Sequence, residues 1–247
     1  MCLVGMRFEP DRSRLQIAAN RDEFHQRPAQ AAGWWADEPT VYGGRDLEAG
    51  GTWLAVDRGG RMAAVTNVRK PGAQVAGAQS RGDLPLAFLR GDQSAEAFTR
   101  SLDGRAYGPF NLLLFDGRSL WWTSNQAGPA RAVGSGITGL SNAALDTPWP
   151  KVAALKNAMA ASSDAEPLFE VLARREIPPG TLPDTGVGLE LERLLAPSFI
   201  VSDRYGTRCS TVLTITPAGV VFEERLFGPS GLETKRGQTT FSTEKVV

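Results

Sequence analysis

Two cysteines occur in the 247 residues, and one of them, Cys2, stands directly behind Met1. A small second side chain permits removal of Met1, which leaves one residue carrying both a thiol and a free α-amine. That amine titrates near ~8, far below lysine, so it can serve as the base for its own thiol at neutral pH. Nucleophile and proton acceptor are then one residue. The plain alternative is that position 2 is merely small and its thiol takes no part.

The neighbourhood expected for Cys2 follows from strand patterning. Residues 2–8 alternate, with Cys2, Val4, Met6 and Phe8 on one face, and 9–13 is turn chemistry before a second apolar strand at 15–19. A hairpin with Phe8 beside Leu15 has position sums near 23, which sets Cys2 opposite Arg21. The chain start then lies beside Asn20-Arg21-Asp22-Glu23, where a guanidinium favours the thiolate and Asp22 can orient the α-amine. A solvated strand end with an internal ion pair is the competing reading.

Further polar clusters fall where strands end: Gly43-Gly44-Arg45-Asp46, Thr66-Asn67-Val68-Arg69, Ser80-Arg81-Gly82, Leu140-Ser141-Asn142 and Tyr205-Gly206-Thr207-Arg208. Each alone is ordinary turn chemistry. Together they supply amide and guanidinium donors, the equipment of an oxyanion site. Hydrolysis at Cys2 needs such a donor, for which Asn67 and Asn142 are candidates, and Arg208 is a candidate to hold a substrate carboxylate or tune the thiol. The single histidine, His25, excludes multi-histidine zinc sites and any Ser-His-Asp triad built elsewhere. It is a candidate iron contact or simply a bonded residue at a strand end.

Lys plus Arg equals Asp plus Glu at 27 each, so nothing in the net charge points to nucleic acid or an anionic membrane. No apolar run approaches the ~18 residues of a membrane span, and the N-terminus lacks a signal-peptide layout. A cytoplasmic protein without membrane spans or nucleic-acid partners is expected. Two cysteines make neither a metal motif nor a disulfide framework, and reduced thiols are expected. No metal is expected.

The elements that position these residues are mostly hairpins. Strands are expected at 51–56 and 62–67, at 110–115 and 120–123 across Asp116-Gly117, and at 207–214 and 220–227. Helices are expected over 84–89 capped by Asp83, from Ser94 through 98, over 149–160, after a Ser163/Glu166 capping box, and briefly over 189–195. Loops rich in Pro and Gly cover 70–82 and 176–188. Trp34-Trp35 is a core pair or the wall of an apolar pocket. Hairpins with intervening helices read as a single α+β domain over 1–247, two stacked antiparallel sheets with helices outside.

These motifs, in this order and together with Gly51-Thr52-Trp53-Leu54, Phe110-Asn111-Leu112 and Pro148-Trp149-Pro150-Lys151, resemble the NRDE family, also called the transport and Golgi organization protein family. The resemblance runs almost end to end. It implies a four-layer αββα sandwich similar to N-terminal nucleophile (Ntn) hydrolases. It also implies a catalytic set of Cys2, Arg21, Asp22, Asn67, Asn142 and Arg208, with Arg21 and Asp22 adjacent where related amidases space them apart. Two functional expectations follow. One is a cysteine Ntn hydrolase of a non-peptide amide or related acyl bond, needing no cofactor. The other is a binding or trafficking protein for haem or acyl-coenzyme A lipids, with His25, Arg45 and Arg69 as candidate contacts.

Overall fold

The computed structural model describes residues 2–73 and 79–244. Met1 and part of the loop expected at 70–82 therefore lie outside the described residues. The strands in chain order begin with β1 (Cys2–Glu9), β2 (Arg14–Phe24), β3 (Ala29–Trp34), β4 (Val41–Asp46), β5 (Leu54–Asp57) and β6 (Met62–Asn67). They continue with β7 (Phe110–Phe115), β8 (Leu120–Ser124), β9 (Arg131–Ala132), β10 (Gly136–Leu140), β11 (Tyr205–Thr216), β12 (Gly219–Phe227) and β13 (Glu233–Phe241). The helices are α1 (Asp83–Arg90), α2 (Ala95–Ser101), α3 (Pro150–Ala161), α4 (Ala165–Leu172) and α5 (Leu189–Leu194).

Two antiparallel sheets result, one in the order β10-β1-β2-β11-β12-β13 and the other β3-β4-β5-β6-β7-β8-β9. The alternation of β1 and β2 explains why they stack. Val4, Met6 and Phe8 join Leu15, Ile17 and Ala19 in the apolar layer between the sheets, where Leu54, Val56, Leu113 and Phe115 meet them. The opposite faces are apolar too and need covers. Leu3, Ala18 and Val212 pack under α3 and α4, while Ala55, Ala63, Leu112 and Leu114 pack under α1 and the start of α2. The layer sequence is helix, sheet, sheet, helix: the αββα sandwich.

Register carries the chemistry. Phe8 pairs with Leu15 and Cys2 with Arg21, as the position sum predicts. Alternation along β2 then sends Arg21 toward the sheet–sheet interface with Cys2, and Asn20 and Asp22 toward the helices.

Several boundaries differ from expectation. Asp83 is inside α1, whose N-cap is Gly82, and α3 starts at Pro150 with Trp149 as its cap. The Ser163/Glu166 box does not form, because Glu166 pairs with Arg225 of β12 instead. Ser94 does cap α2, accepting from the Ala97 N–H. Trp34 packs edge-on against Tyr42 in the core and Trp35 is buried beneath α1, so neither walls the cleft described below.

Candidate active site

Cys2 opens β1 at the end of the interface between the sheets, half-buried on the wall of a cleft of about 710 Å³. Opposite it, the Arg21 guanidinium lies over the Trp53 ring, 4.2 Å from its centroid, and is 5% exposed. Nη2 of Arg21 reaches Asp46 Oδ2 at 3.3 Å and Glu23 Oε2 at 4.0 Å. Trp53 can lie flat there only because residue 44 is glycine: a Cβ at Gly44 would stand 2.2 Å from the indole. Burial pushes the Cys2 thiol above its ordinary value, and Asp22 and Glu23 add to this while Arg21 opposes it.

Asp22 belongs to the other face of β2. Its Oδ1 accepts the Thr207 hydroxyl at 2.7 Å, and that hydroxyl oxygen itself accepts from the Ile200 N–H at 2.9 Å, which fixes the direction of the proton. Burial raises the Asp22 carboxyl, with Lys151 the chief opposing influence. Lys151 is 2% exposed, donates to the Leu195 carbonyl at 2.8 Å, and is lowered to about 8, first by burial. Lys151 belongs to the Pro148-Trp149-Pro150-Lys151 motif but carries no predicted role there. It lies in the first turn of α3, where the docking of that helix buries the ammonium against the Leu195 carbonyl.

The two asparagines take different positions. Asn67 ends β6 and lines the cleft. Asn142 follows β10, is 1% exposed, and donates through Nδ2 to the Asn67 carbonyl at 2.8 Å. Its own carbonyl accepts from the Arg69 N–H at 2.7 Å, and the neighbouring Ser141 hydroxyl donates to the Cys2 carbonyl at 2.9 Å. One turn after β10 thus ties the Cys2 backbone to the end of β6. Arg69 lines the cleft, pairs with buried Glu192 of α5, and lies 4.9 Å from the Trp149 ring centroid. Glu192 also accepts from the Thr185 N–H and hydroxyl, fastening the end of the 176–188 loop.

The structure does not bring Arg208 to Cys2. It is the extra residue of a bulge in β11, and its Nη1 donates to the carbonyls of Phe24, His25 and Arg27. His25 also stays off the cleft, with Nε2 2.9 Å from the Ser202 carbonyl and Gly206 against its ring. Arg45 grips Asp37 with two bonds and lies over Trp35. Of the three candidate cofactor contacts only Arg69 lines the cleft, so the residues present do not fit a haem held there by His25. No grouping of His, Cys, Asp and Glu suited to a metal occurs among the described residues.

The family model described as Transport and Golgi organisation 2 matches residues 1–228. The chain belongs to this family. Among its members, the Bos taurus transport and Golgi organization protein 2 homolog is 33% identical over 274 residues, covering 97% of each chain. The Homo sapiens homolog is 33% identical over 257 residues, covering 91% of this chain and 92% of its own. A solved structure of a Caenorhabditis elegans N-acylethanolamine-hydrolyzing acid amidase (NAAA) ortholog superposes with a TM-score of 0.50 at 12% identity, over 86% of this chain and 92% of that one. That likeness is one of fold: the chain has an Ntn-hydrolase-like sandwich. No helix among the described residues is long and apolar enough to cross a membrane.

Proposed function

We propose that the protein is a cysteine Ntn hydrolase that cleaves a non-peptide amide or related acyl bond. The observation carrying this reading is the convergence of Cys2, Arg21, Asp22 and Asn67 on one cleft at the mouth of the sheet–sheet interface. With Met1 removed, the Cys2 α-amine takes the thiol proton as Sγ bonds to the substrate carbonyl carbon. The Asn67 amide faces the oxyanion. The C–N bond breaks as the amine returns its proton to the leaving nitrogen, and a thioester remains. Water then adds to the thioester, the C–S bond breaks, and acid and free Cys2 are released. Arg21 steadies the negative charge that develops on the sulfur, and Asp22 orients the α-amine from beneath the sheet.

A carrier reading draws on the same cleft. Arg21, Arg27, Arg69, Lys70 and Arg81 all line it and suit the phosphates of an acyl-coenzyme A. Intact mass of the purified protein, before and after a thiol-selective electrophile, separates the two. Loss of Met1 with fast, single labelling that vanishes in Cys2→Ala supports the hydrolase. A retained Met1 with an inert Cys2 overturns it and leaves stoichiometric ligand binding as the reading to pursue.

A further inference from the structure

Five cationic and three carboxylate side chains line the cleft, and the pairing among them is uneven. Arg21 and Arg27 share Asp46, and Arg27 also holds Glu48. Arg69 has Glu192. Among the described residues, Lys70 donates to the Gln126 side-chain carbonyl alone, at 2.9 Å, and Arg81 to the Pro109 carbonyl alone, at 3.2 Å. Neither forms an ion pair with a carboxylate among the described residues.

Arg81 is not a loose surface arginine. Its backbone opens the turn into α1, where the Leu84 N–H donates to the Arg81 carbonyl and the Gly82 N–H to the Ser80 hydroxyl. The Thr52 N–H donates to the Gly82 carbonyl at 3.1 Å. Gly51 lies so near that a Cβ there would come within 2.5 Å of the Gly82 carbonyl carbon. The turn is therefore clamped against the segment leading to Trp53. The guanidinium is half-buried, and burial chiefly disfavours its charge, with Arg27 adding to this and Glu23 easing it without coming within ion-pair distance. It lines the same cleft as Cys2, Glu23 and Arg27. A cation held in place, partly desolvated and lacking an acid of its own is completed by an anion from outside.

We propose that Arg81, assisted by Lys70, receives an oxyanionic group of the substrate, so that the bond cut at Cys2 belongs to a small molecule carrying a carboxylate or phosphate. This rests on the hydrolase reading only for the bond that is cut; the anion site stands on its own geometry.

The test compares alkylation of Cys2 by iodoacetate and by iodoacetamide, followed by intact mass. In both, the thiolate sulfur bonds to the methylene carbon and iodide leaves. The ratio of the two rates cancels any change in thiol ionisation. For the wild type this ratio should exceed that of N-acetylcysteine by about fivefold, the size expected of one partly screened charge pair. Arg81→Gln should bring it back to the free-thiol value, and Arg81→Lys should keep part of it. An equal ratio in Arg81→Gln and wild type overturns the proposal. Should Arg81→Gln not fold, Arg81→Lys and Lys70→Gln carry the comparison, and unchanged ratios in both overturn it. If Cys2 reacts with neither reagent, the hydrolase reading fails separately, and inorganic phosphate decides the anion site. In Cys2→Ala, about 50 mM phosphate should raise Tm above chloride of equal ionic strength, and adding Arg81→Gln should abolish the rise. No rise in Cys2→Ala overturns the proposal.

Discussion

Asn142 secures Asn67 through the backbone: its side-chain amide donates to the Asn67 carbonyl at 2.8 Å. Since its own carbonyl receives the Arg69 N–H, the asparagine next to β10 bridges one sheet to the end of β6 in the other. The two asparagines therefore divide the work. Asn142→Ala removes a buried donor and leaves the Asn67 carbonyl unmatched, which should lower unfolding free energy by about 1–3 kcal/mol. Asn67→Ala should change it by no more than about 0.5 kcal/mol, because Asn67 is half-exposed on the cleft. Urea denaturation of both variants measures the contrast, and equal losses would contradict this division.

The Arg21–Trp53 stack depends on the bare backbone at Gly44. Gly44→Ala forces a methyl into the indole, and overpacking of this kind costs about 1–3 kcal/mol. The larger consequence is local. A displaced Trp53 shifts the guanidinium that favours the Cys2 thiolate, so iodoacetamide labelling at neutral pH should slow, with a rate that rises at higher pH than in the wild type. A Gly44→Ala protein that labels as fast as the wild type would disconnect Trp53 from the thiol.

Lys151 gives the fold a pH signature. Its value of about 8 lies below the ordinary 10.5, so between them the unfolded chain holds a proton that the folded chain has released. Stability contributed at this site rises with pH across that window, and below it the buried charge costs on the order of 3 kcal/mol. Lys151→Met has no such charge. Wild type should therefore gain stability relative to Lys151→Met between pH 7.5 and 10, read as the difference in urea midpoints at each pH. A constant difference would mean that Lys151 carries no perturbed titration.

Asn20 is the structural member of its segment. Its Nδ2 donates to the carbonyls of Leu172 and Ser198, both at 2.8 Å, and its Oδ1 accepts the Ser210 hydroxyl at 2.6 Å. It ties the end of α4 and the approach to β11 to the central strand. Asn20→Ala strands three buried groups and should cost about 2–4 kcal/mol, visible as a lowered Tm. The rate of Cys2 labelling in the folded protein should stay close to that of the wild type.

The β1–β2 register was readable in advance because the Phe8–Leu15 turn and the alternation of Cys2, Val4, Met6 and Phe8 agree on it. The hairpins β5–β6, β7–β8 and β11–β12 carried equally local signals. Edge strands did not. Gly136–Leu140 has two glycines in five residues, and Glu233–Phe241 is largely charged and polar, so neither shows an apolar face although each completes a sheet edge. Arg21 and Asp22 could be set beside Cys2 because one hairpin joins them, whereas Asn67 could be named as a donor at a strand end but not positioned. Lys151 and Glu192 could not be placed, since their partners lie far along the chain and their burial depends on how α3 and α5 dock. Arg208 was misleading for a different reason: as a bulge residue it escapes the alternation that would otherwise aim it.

That bulge also marks where this molecule can change length. Thr207 faces Asp22 and Cys209 faces Arg21, so the partner strand runs on without a break and Arg208 is the residue with no opposite number. Excising it would set Thr207 directly beside Cys209 in plain alternation, with the Asp22 bond and the apolar face of Leu213 and Ile215 both kept. What would be lost is the guanidinium that holds the carbonyls of Phe24, His25 and Arg27. A descendant one residue shorter at this point would therefore keep its core and forfeit only the clasp on the segment after β2.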